Sequence, residues 1–200
     1  MTSKVAIIDS GGANIASLTC ALDRLGARSI LTVDPVEIRG ASHVILPGVG
    51  AAADAMRRLR DCGLDQVIPQ LSQPVLGICL GMQLLADHSQ EDDAPCLGIL
   101  AGTAKKMRGS PAMPVPNMGW CRVTQRKPHP LLNGIDDGSH FYFIHSYALP
   151  VTDYSIAETR HTRSLTAIAA SGNFFAAQFH PERSSATGAR FLANFLALAA

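Results

Sequence analysis

One cysteine of the sequence lies between small residues at the end of an apolar run. Cys79 belongs to the segment GICLG at positions 77–81, between a strand predicted over 74–78 and a helix predicted to contain Met82, Leu84 and Leu85. Small flanking residues permit the sharp strand-to-helix turn that exposes a nucleophile at the carboxyl edge of a sheet. The helix dipole and the free N–H groups at a helix N-terminus would favour the thiolate. A buried core cysteine is an equally good interpretation of this pentapeptide alone.

A histidine and a glutamate follow another apolar run near the end of the sequence. His180 and Glu182 belong to QFHPE at positions 178–182. A thiolate nucleophile needs a base that takes and returns its proton, and that base needs an acceptor that fixes its tautomer. In an extended segment the two side chains point to the same side, so Glu182 can orient His180. Either residue alone could be structural, as a strand-end histidine or the first acid of a helix; together with Cys79 they predict a catalytic triad.

A glycine-rich turn follows a third predicted strand. The sequence PGVG at positions 47–50 places a glycine on each side of Val49, after a strand predicted over 43–47. Such a turn leaves backbone N–H groups free to face a developing oxyanion. A lone glycine turn is weak support for this role. Its position after a parallel strand next to the one that carries Cys79 strengthens the interpretation.

The elements that must position these segments are those of an α/β fold. Apolar runs at 5–9, 30–33, 43–47 and 74–79 alternate with helical patterns at 15–25, 51–60 and 64–71. This order predicts a doubly wound, mostly parallel sheet with helices on both faces. Further strands are predicted at 120–124, 141–148, 155–159, 165–170 and 174–179, and a closing helix from about 184. With 200 residues, 47% of them hydrophobic, the chain is expected to form a single domain over 1–200.

Composition excludes several classes of function. The sequence has 17 basic and 16 acidic side chains, so its net charge of +1 gives no field that would attract nucleic acid or an anionic membrane. Its five cysteines form no CxxC pair, which favours free thiols in a reducing, cytoplasmic compartment. His140 and His145 lack further ligands at metal-binding spacing, and the glycines at 11 and 12 lack the rest of a nucleotide-binding motif. We therefore expect no metal and no cofactor.

Longer stretches around the three segments resemble a known family. GICLGMQ at 77–83 and HPE at 180–182 are similar to the motifs of the class I (triad) glutamine amidotransferases, and the resemblance spans nearly the whole sequence. The fold that this implies is flavodoxin-like. Within the family, PGVG at 47–50, MGW at 118–120 and YFIHSY at 142–147 resemble the glutaminase subunits of imidazole glycerol phosphate synthases, which act in histidine biosynthesis.

The resemblance implies a role for each matching residue. Cys79 would attack the amide carbon of L-glutamine and form a thioester, His180 would protonate the departing ammonia, and Glu182 would complete the triad. The N–H groups of Val49 and Leu80 would form the oxyanion hole. The amino-acid end of glutamine would be held by four further positions: Gly50, Gln83, Ser146 and Tyr147.

The resemblance also implies a protein partner. Ammonia would pass to a (β/α)8 cyclase subunit in a heterodimer, which makes imidazole glycerol phosphate and aminoimidazole carboxamide ribotide. Asn117, Met118, Trp120 and Arg183 are expected at the interface with this subunit. Four residues depart from the commonest family pattern: Ser10 and Ala13 replace tyrosine and glycine, Asn117 replaces histidine, and Arg183 replaces lysine.

Two alternative functions remain open on the sequence alone. The first is a class I glutaminase that serves a different synthase, with the same triad and a different partner face. The second is a catalytically silent interaction subunit on the same fold. The presence of Cys79, His180 and Glu182 together argues against the silent subunit.

Overall fold

A computed structural model describes residues 4–11 and 14–199 of the chain. Ala13, one of the departures from the family pattern, lies outside the described residues. The strands in chain order are β1 (Lys4–Ile8), β2 (Arg28–Thr32), β3 (His43–Gly48), β4 (Val75–Cys79), β5 (Ala86–Ser89), β6 (Ala94–Pro95), β7 (Leu100–Lys106), β8 (Asn117–Gln125), β9 (His140–His145), β10 (Tyr147–Ala148), β11 (Ser155–Arg160), β12 (Ser164–Ser171) and β13 (Phe174–Ala177). The α-helices are α1 (Ile15–Arg24), α2 (Pro35–Arg39), α3 (Ala52–Asp61), α4 (Leu64–Val67), α5 (Leu80–Leu84) and α6 (Ser185–Leu196).

The main sheet of the described residues is half parallel and half antiparallel. Its order is β2-β1-β3-β4-β13-β12-β11-β8-β9. The strands from β2 to β13 run parallel, and the pairs from β13 to β9 are antiparallel. The predicted α/β class is confirmed, with an antiparallel extension on one side of the parallel strands.

Helices cover both faces of the parallel strands, as predicted. Successive side chains of a strand point to opposite faces, and the central strands are apolar on both sides. Ala6 and Ile8 of β1 pack on the side of α2, α3, α4 and α5. Val5 and Ile7 pack with α1 and α6 on the other side. The strands β3 and β4 are buried along their whole length, which explains their continuous apolar runs.

Element boundaries differ from prediction where local chemistry interrupts a pattern. The helix predicted over 64–71 ends at Val67 and continues as a 3-10 turn over Ile68–Gln70, because Pro69 cannot supply a helical N–H. The strand predicted over 141–148 is divided at Ser146 into β9 and β10. Asn14 occupies the N-cap position of α1 but makes no side-chain capping hydrogen bond.

A second, small sheet was not predicted. It has the order β10-β7-β5-β6 and includes strands of two to seven residues. The polar segment at 90–94 contains a 3-10 turn over Glu91–Asp93 and the first residue of β6. In chain order β5, β6 and β7 lie between α5 and β8, and β10 follows β9. Tyr147 of β10 and Glu91, in the turn between β5 and β6, line the site described below. None of the helices in the described ranges is long and apolar enough to cross a membrane.

Candidate active site

Three neighbouring strands bring the three predicted segments together. The parallel strands β3, β4 and β13 are adjacent, with Gly48 opposite Cys79 and Ala177 opposite Ile78. The glycine turn, Cys79 and the segment that leads to His180 therefore leave the sheet at the same edge. Crevices at the carboxyl ends of parallel strands are the common ligand sites of this architecture.

Cys79 occupies a sharp turn between β4 and α5. Its backbone has φ 55° and ψ −109°, a conformation that costs energy in a residue other than glycine and is common at functional sites. The flanking glycines leave no room for side chains. A Cβ at Gly77 would lie 2.7 Å from the carbonyl oxygen of Gly81, and one at Gly81 would overlap the carbonyl oxygen of Leu46. Close packing of β4, α5 and β3 thus fixes the position of Cys79.

His180 and Glu182 form a buried pair. The Nδ1 atom of His180 lies 2.8 Å from Oε1 of Glu182, and the two side chains are only 7% and 4% exposed. The sequence suggested that both residues belong to one extended segment, and this expectation is wrong. His180 is extended, but Pro181–Arg183 forms a 3-10 turn that brings the Glu182 carboxylate back to the His180 ring. The predicted pairing therefore forms through a turn.

Neighbouring residues anchor the backbone of His180. Its N–H donates to the carbonyl oxygen of Tyr142 at 2.9 Å on β9. The Ser184 hydroxyl donates to the His180 carbonyl at 2.7 Å and accepts from the N–H of Tyr142 at 2.9 Å. These bonds fix the ring between Glu182 and Cys79.

The environment of His180 favours its protonated form. Burial alone would lower its pKa, but interactions with the Cys79 sulfur and the Glu182 carboxylate outweigh burial and raise the pKa to about 10. The Nε2 atom is buried and makes no hydrogen bond of ordinary geometry to the described residues. It is therefore available to exchange a proton with the sulfur, the role expected of the base in a triad.

One cavity of about 280 Å³ contains most of the predicted site residues. It is lined by Cys79 and His180 of the triad, by both predicted oxyanion-hole residues, and by all four predicted glutamine-binding residues; these last six are Val49, Leu80, Gly50, Gln83, Ser146 and Tyr147. Glu182 lies behind His180 and does not line this cavity. The remaining lining residues are Glu91, Pro116, Ile144 and His145.

Two glutamines connect the cavity wall to the nucleophile. The Gln83 amide donates to the carbonyl of Tyr147 at 3.0 Å and to Oε1 of Gln178 at 3.3 Å. The Nε2 atom of Gln178 lies 3.9 Å from the sulfur of Cys79, and the thiol can also donate to the carbonyl of Ile144 at 3.6 Å. Gln178 is fully buried. Sequence analysis did not identify Gln178 as a site residue. Its position two residues before His180 was the one available signal, but a glutamine in an apolar strand does not by itself indicate contact with a cysteine.

Glu91 is the second residue that sequence reasoning missed. It lines the same cavity as Cys79 and His180, and its Oε2 accepts from the N–H of Ala52 at 3.0 Å, at the start of α3. Partial burial raises its pKa; the hydrogen bond from Ala52 opposes this rise and the charge of Asp92 adds to it. The only sequence signal was an acid in a polar loop, and such residues usually face solvent.

The glycine turn is held at both ends and open in the middle. The Ser10 hydroxyl donates to the carbonyl of Pro47 at 2.6 Å, and Glu91 holds Ala52 on the other side. Between them, Gly50 has φ 89°, and a Cβ built on it meets no heavy atom of the described residues within 4 Å. Val49 is 38% exposed. Ser10, a departure from the family pattern, thus supports the turn with its side chain.

Three of the four residues predicted at a partner interface are exposed. The Arg183 guanidinium lies 4.9 Å from the centre of the Tyr142 ring, which meets Trp120 edge-on at 6.1 Å. Trp120 is 53% and Met118 61% exposed. Asn117 is different: its residue is 9% exposed, and its amide nitrogen lies 3.1 Å from Nε2 of His145.

The described residues contain no group of three or more histidine, cysteine, aspartate or glutamate side chains arranged to hold a metal ion. The cysteines in the described ranges are free thiols.

This arrangement of a cysteine elbow, a buried histidine–carboxylate pair and a facing glycine turn is that of an amidotransferase. The family profile "Glutamine amidotransferase class-I" matches residues 6–199. The chain belongs to the class I glutamine amidotransferase family.

Comparison with curated proteins identifies the subgroup of the family to which the chain belongs. The chain is 48% identical over 194 residues to "Imidazole glycerol phosphate synthase subunit HisH" of Xylella fastidiosa (strain Temecula1 / ATCC 700964), with 97% of each chain covered. It is also 48% identical to "Imidazole glycerol phosphate synthase subunit HisH 2" of Legionella pneumophila (strain Lens), covering 97% of this chain and 98% of the relative. Within the class I family, the chain therefore belongs to the HisH subunits.

Solved structures support the fold. A crystal structure described as a glutamine amidotransferase superposes with a TM-score of 0.74 at 20% identity, covering 96% of both chains. At this level of identity the likeness concerns the fold alone.

Proposed function

We propose that the chain hydrolyses L-glutamine to glutamate and ammonia through a thioester on Cys79, as the glutaminase subunit of an imidazole glycerol phosphate synthase. The observation that carries the proposal is a single cavity, at the edge of three adjacent parallel strands, into which Cys79 and His180 both face. Glu182 lies 2.8 Å behind the histidine. Nucleophile, base and orienting acid thus have the relation that acyl transfer needs.

The first half of the reaction forms the acyl-enzyme. The Cys79 sulfur attacks the amide carbon of the glutamine side chain, and the carbonyl oxygen becomes an oxyanion between the N–H groups of Leu80 and Val49. His180 holds the thiol proton and transfers it to the amide nitrogen, so the C–N bond breaks and ammonia leaves. The Glu182 carboxylate stabilises the imidazolium throughout.

The second half releases glutamate. A water molecule attacks the thioester carbon while His180 accepts its proton, and the same N–H groups stabilise the second tetrahedral intermediate. Its collapse breaks the carbon–sulfur bond and returns the proton to the sulfur. The net change is one glutamine and one water converted to one glutamate and one ammonia.

Another part of the cavity wall would hold the amino-acid end of glutamine. Ser146 and Tyr147 offer backbone groups, and Gln83 stabilises the Tyr147 carbonyl by a hydrogen bond. Gly50 has no side chain, so glutamine can approach its backbone closely. Glu91 supplies the acceptor that the substrate's α-ammonium group requires, and it is the carboxylate among the cavity's lining residues. A carboxylate at this position would favour glutamine over analogues that lack the amino group.

We infer that the ammonia passes to a (β/α)8 cyclase subunit in a heterodimer located in the cytoplasm. A cluster of the exposed Met118, Trp120 and Arg183 around the half-buried Tyr142 borders the site and has the aromatic and arginine composition of interface cores. The names of the relatives, subunits of imidazole glycerol phosphate synthase, agree with this assignment. We also infer that residues 1–200 form one amidotransferase domain, as the continuous sheet from β2 to β9 favours.

A reconstitution experiment tests the function. The chain is purified with a cyclase subunit, and formation of imidazole glycerol phosphate is measured with either glutamine or an ammonium salt as nitrogen donor. We expect Cys79→Ala to abolish the glutamine-dependent reaction and to leave the ammonium-dependent reaction and subunit binding unchanged. Glutamine-dependent synthesis by Cys79→Ala at the rate of the unmodified protein would refute the covalent mechanism.

The same assay separates the alternatives. Other amidotransferase-dependent synthases replace the cyclase in parallel reactions, and glutamate release is measured in each. Stimulation by the cyclase alone supports the proposal, and stimulation by a different synthase would replace it with the alternative partner. Cys62→Ala serves as a matched control, since Cys62 is an exposed thiol outside the cavity.

A further inference from the structure

A buried histidine lines the cavity and takes no part in the mechanism above. His145 is the last residue of β9 and is 6% exposed. Its ring is bonded on both sides: Nδ1 lies 2.9 Å from the carbonyl oxygen of Tyr147, and Nε2 lies 3.1 Å from the amide nitrogen of Asn117. Both predicted partners of glutamine at this wall, Ser146 and Tyr147, follow it directly in the sequence.

These two partners define the protonation of the ring. A carbonyl oxygen only accepts, so Nδ1 must carry a proton and donate. The amide nitrogen of Asn117 only donates, so Nε2 must accept. Asn117 Oδ1 in turn accepts from the Cys121 thiol at 3.4 Å, which fixes the orientation of the amide. The neutral ring with its proton on Nδ1 is the single form that satisfies every group.

The electrostatic surroundings agree with this form. Burial lowers the pKa of His145 to about 4; the Tyr147 carbonyl opposes the shift, and the nearby His161 and His180 rings reinforce it. A second imidazolium beside the protonated His180 would be repelled by it. The ring therefore stays neutral at any pH at which the enzyme would work.

We propose that His145 is a positioning residue for the substrate: held by Asn117, it fixes the Tyr147 carbonyl and with it the Ser146–Tyr147 backbone that binds the amino-acid end of glutamine. The inference rests on the proposed function. The Tyr147 carbonyl accepts from both His145 and Gln83, whose amide also bonds Gln178 beside Cys79. A continuous set of hydrogen bonds thus runs from Asn117 on β8 to the nucleophile.

Two isosteric variants separate the two hydrogen bonds of the ring. The amide nitrogen of asparagine can occupy the place of Nδ1 and donate to Tyr147, and the amide oxygen of glutamine can occupy the place of Nε2 and accept from Asn117. We expect His145→Asn to keep the bond to Tyr147 and His145→Gln to lose it. In the complex with the cyclase and its nucleotide ligand, His145→Gln should raise the KM for glutamine about tenfold with kcat within about threefold, because one buried hydrogen bond is lost. His145→Asn should raise KM by less than about threefold.

His43 provides the matched control. It is also a buried histidine, 4% exposed, with one ring nitrogen 3.2 Å from a backbone carbonyl, that of Leu198, and it lies outside the cavity. His43→Gln and His43→Asn should lower the melting temperature and leave the KM for glutamine unchanged. An equal KM effect of the two His145 variants, or no effect beyond that of the His43 variants, would reduce His145 to a structural residue.

A spectroscopic test needs no turnover and so stands apart from the proposed function. Long-range ¹⁵N–¹H spectra of the labelled chain should contain one neutral histidine protonated on Nδ1, absent from His145→Asn. In Asn117→Asp the carboxylate can only accept from Nε2, so we expect the same resonances to change to those of an imidazolium. A ring protonated on Nε2, or an imidazolium at neutral pH in the unmodified chain, would overturn the inference. Failure of the complex to release glutamate, with these spectra as expected, would instead refute the proposed function alone.

Discussion

The two turns that line the cavity, one at Cys79 and the other at residues 48–50, are built in opposite ways. At the turn that carries Cys79, neither Gly77 nor Gly81 could accept a side chain, because backbone carbonyls already fill the space. At the glycine turn, a Cβ on Gly50 would meet no heavy atom of residues 4–11 and 14–199 within 4 Å, and Val49 is more than one-third exposed. The first turn is fixed by packing on β3 and α5, whereas side-chain hydrogen bonds from the described residues hold the glycine turn at its two ends, through Ser10 and Glu91.

This difference suggests a division of labour. A nucleophile must be positioned accurately before the substrate arrives, and close packing is the surest way to do so. An oxyanion donor on an open turn can be rotated into place by something that binds nearby. The exposed cluster around Tyr142 and Trp120 borders the same site, so a partner subunit is well placed to supply that control.

The largest effect is expected from breaking the fixed turn. In Gly81→Ala the new methyl group would overlap the Leu46 carbonyl, and neither backbone segment can move without separating α5 from β3. We expect loss of folded protein. Gly50→Ala meets no steric obstacle but must adopt a left-handed conformation, which costs about 1–3 kcal/mol, so it should fold with a lower melting temperature. Thermal unfolding by circular dichroism compares them, and a Gly81→Ala protein more stable than Gly50→Ala would contradict the comparison.

The next largest effect concerns the base and its orienting acid. His180→Asn removes proton transfer and should lower kcat for glutamine hydrolysis by about 10² to 10⁴. Glu182→Gln keeps the ring and one hydrogen-bonding partner, so we expect a smaller loss. Steady-state kinetics of glutamate release in the liganded complex show which of the two variants has the lower kcat. A Glu182→Gln protein slower than His180→Asn under the same conditions would show that the carboxylate does more than orient the ring.

The open turn predicts a strong dependence on the partner. A β-branched residue between two glycines can hold the Gly48–Val49 peptide with its N–H turned away from the oxyanion. One such donor contributes roughly 10² to 10³ in kcat in other enzymes. We therefore expect the isolated chain to hydrolyse glutamine at least about 10²-fold more slowly than the complex with the cyclase and its nucleotide ligand. Equal rates in the two samples would mean that the turn is already set for catalysis.

The smallest effect is expected at the exposed cluster. Arg183→Ala removes the guanidinium that lies over Tyr142. We expect the affinity between the two subunits to fall about tenfold, the loss that is common when an interface arginine of moderate importance is truncated. Arg183→Lys should recover only part of this loss, because an ammonium group lacks the planar stacking surface. The ammonium-dependent synthase rate should not change at saturating subunit concentration. Arg190→Ala, an exposed arginine on α6, is the control; if both variants bind the cyclase equally, Arg183 belongs to the solvated surface.

The sequence predicted the fixed parts of the site better than the open ones. The parallel strands are buried on both faces, so their apolar runs identified β3, β4 and β13 and, with them, the edge where Cys79 lies. The pairing of His180 with Glu182 was predicted from a spacing of two residues, although it forms through a turn. Local sequence is informative here because neighbouring residues in the chain remain neighbours in space.

Residues that reach the cavity from distant or irregular segments could not be predicted in this way. Glu91 follows a four-residue strand and precedes Asp92 and Asp93, both of which have positive φ. No hydrophobic period marks such a segment, and its placement depends on the small second sheet. Asn117 was expected at the surface with Met118 and Trp120; the register of β8 against β9 instead pairs it with His145 on the buried face. Asn117 and Met118 are consecutive residues of a strand, so their side chains point to opposite faces.

The most direct test of the account is to look for the acyl-enzyme itself. The liganded complex is mixed with glutamine, quenched in acid during steady turnover and digested, and the peptide that contains Cys79 is examined by mass spectrometry. The account predicts a glutamyl group in thioester linkage on Cys79 that hydroxylamine removes and that is absent from Cys79→Ala. Glutamate release at the full rate with no adduct on this peptide, or with an adduct on another residue, would contradict it.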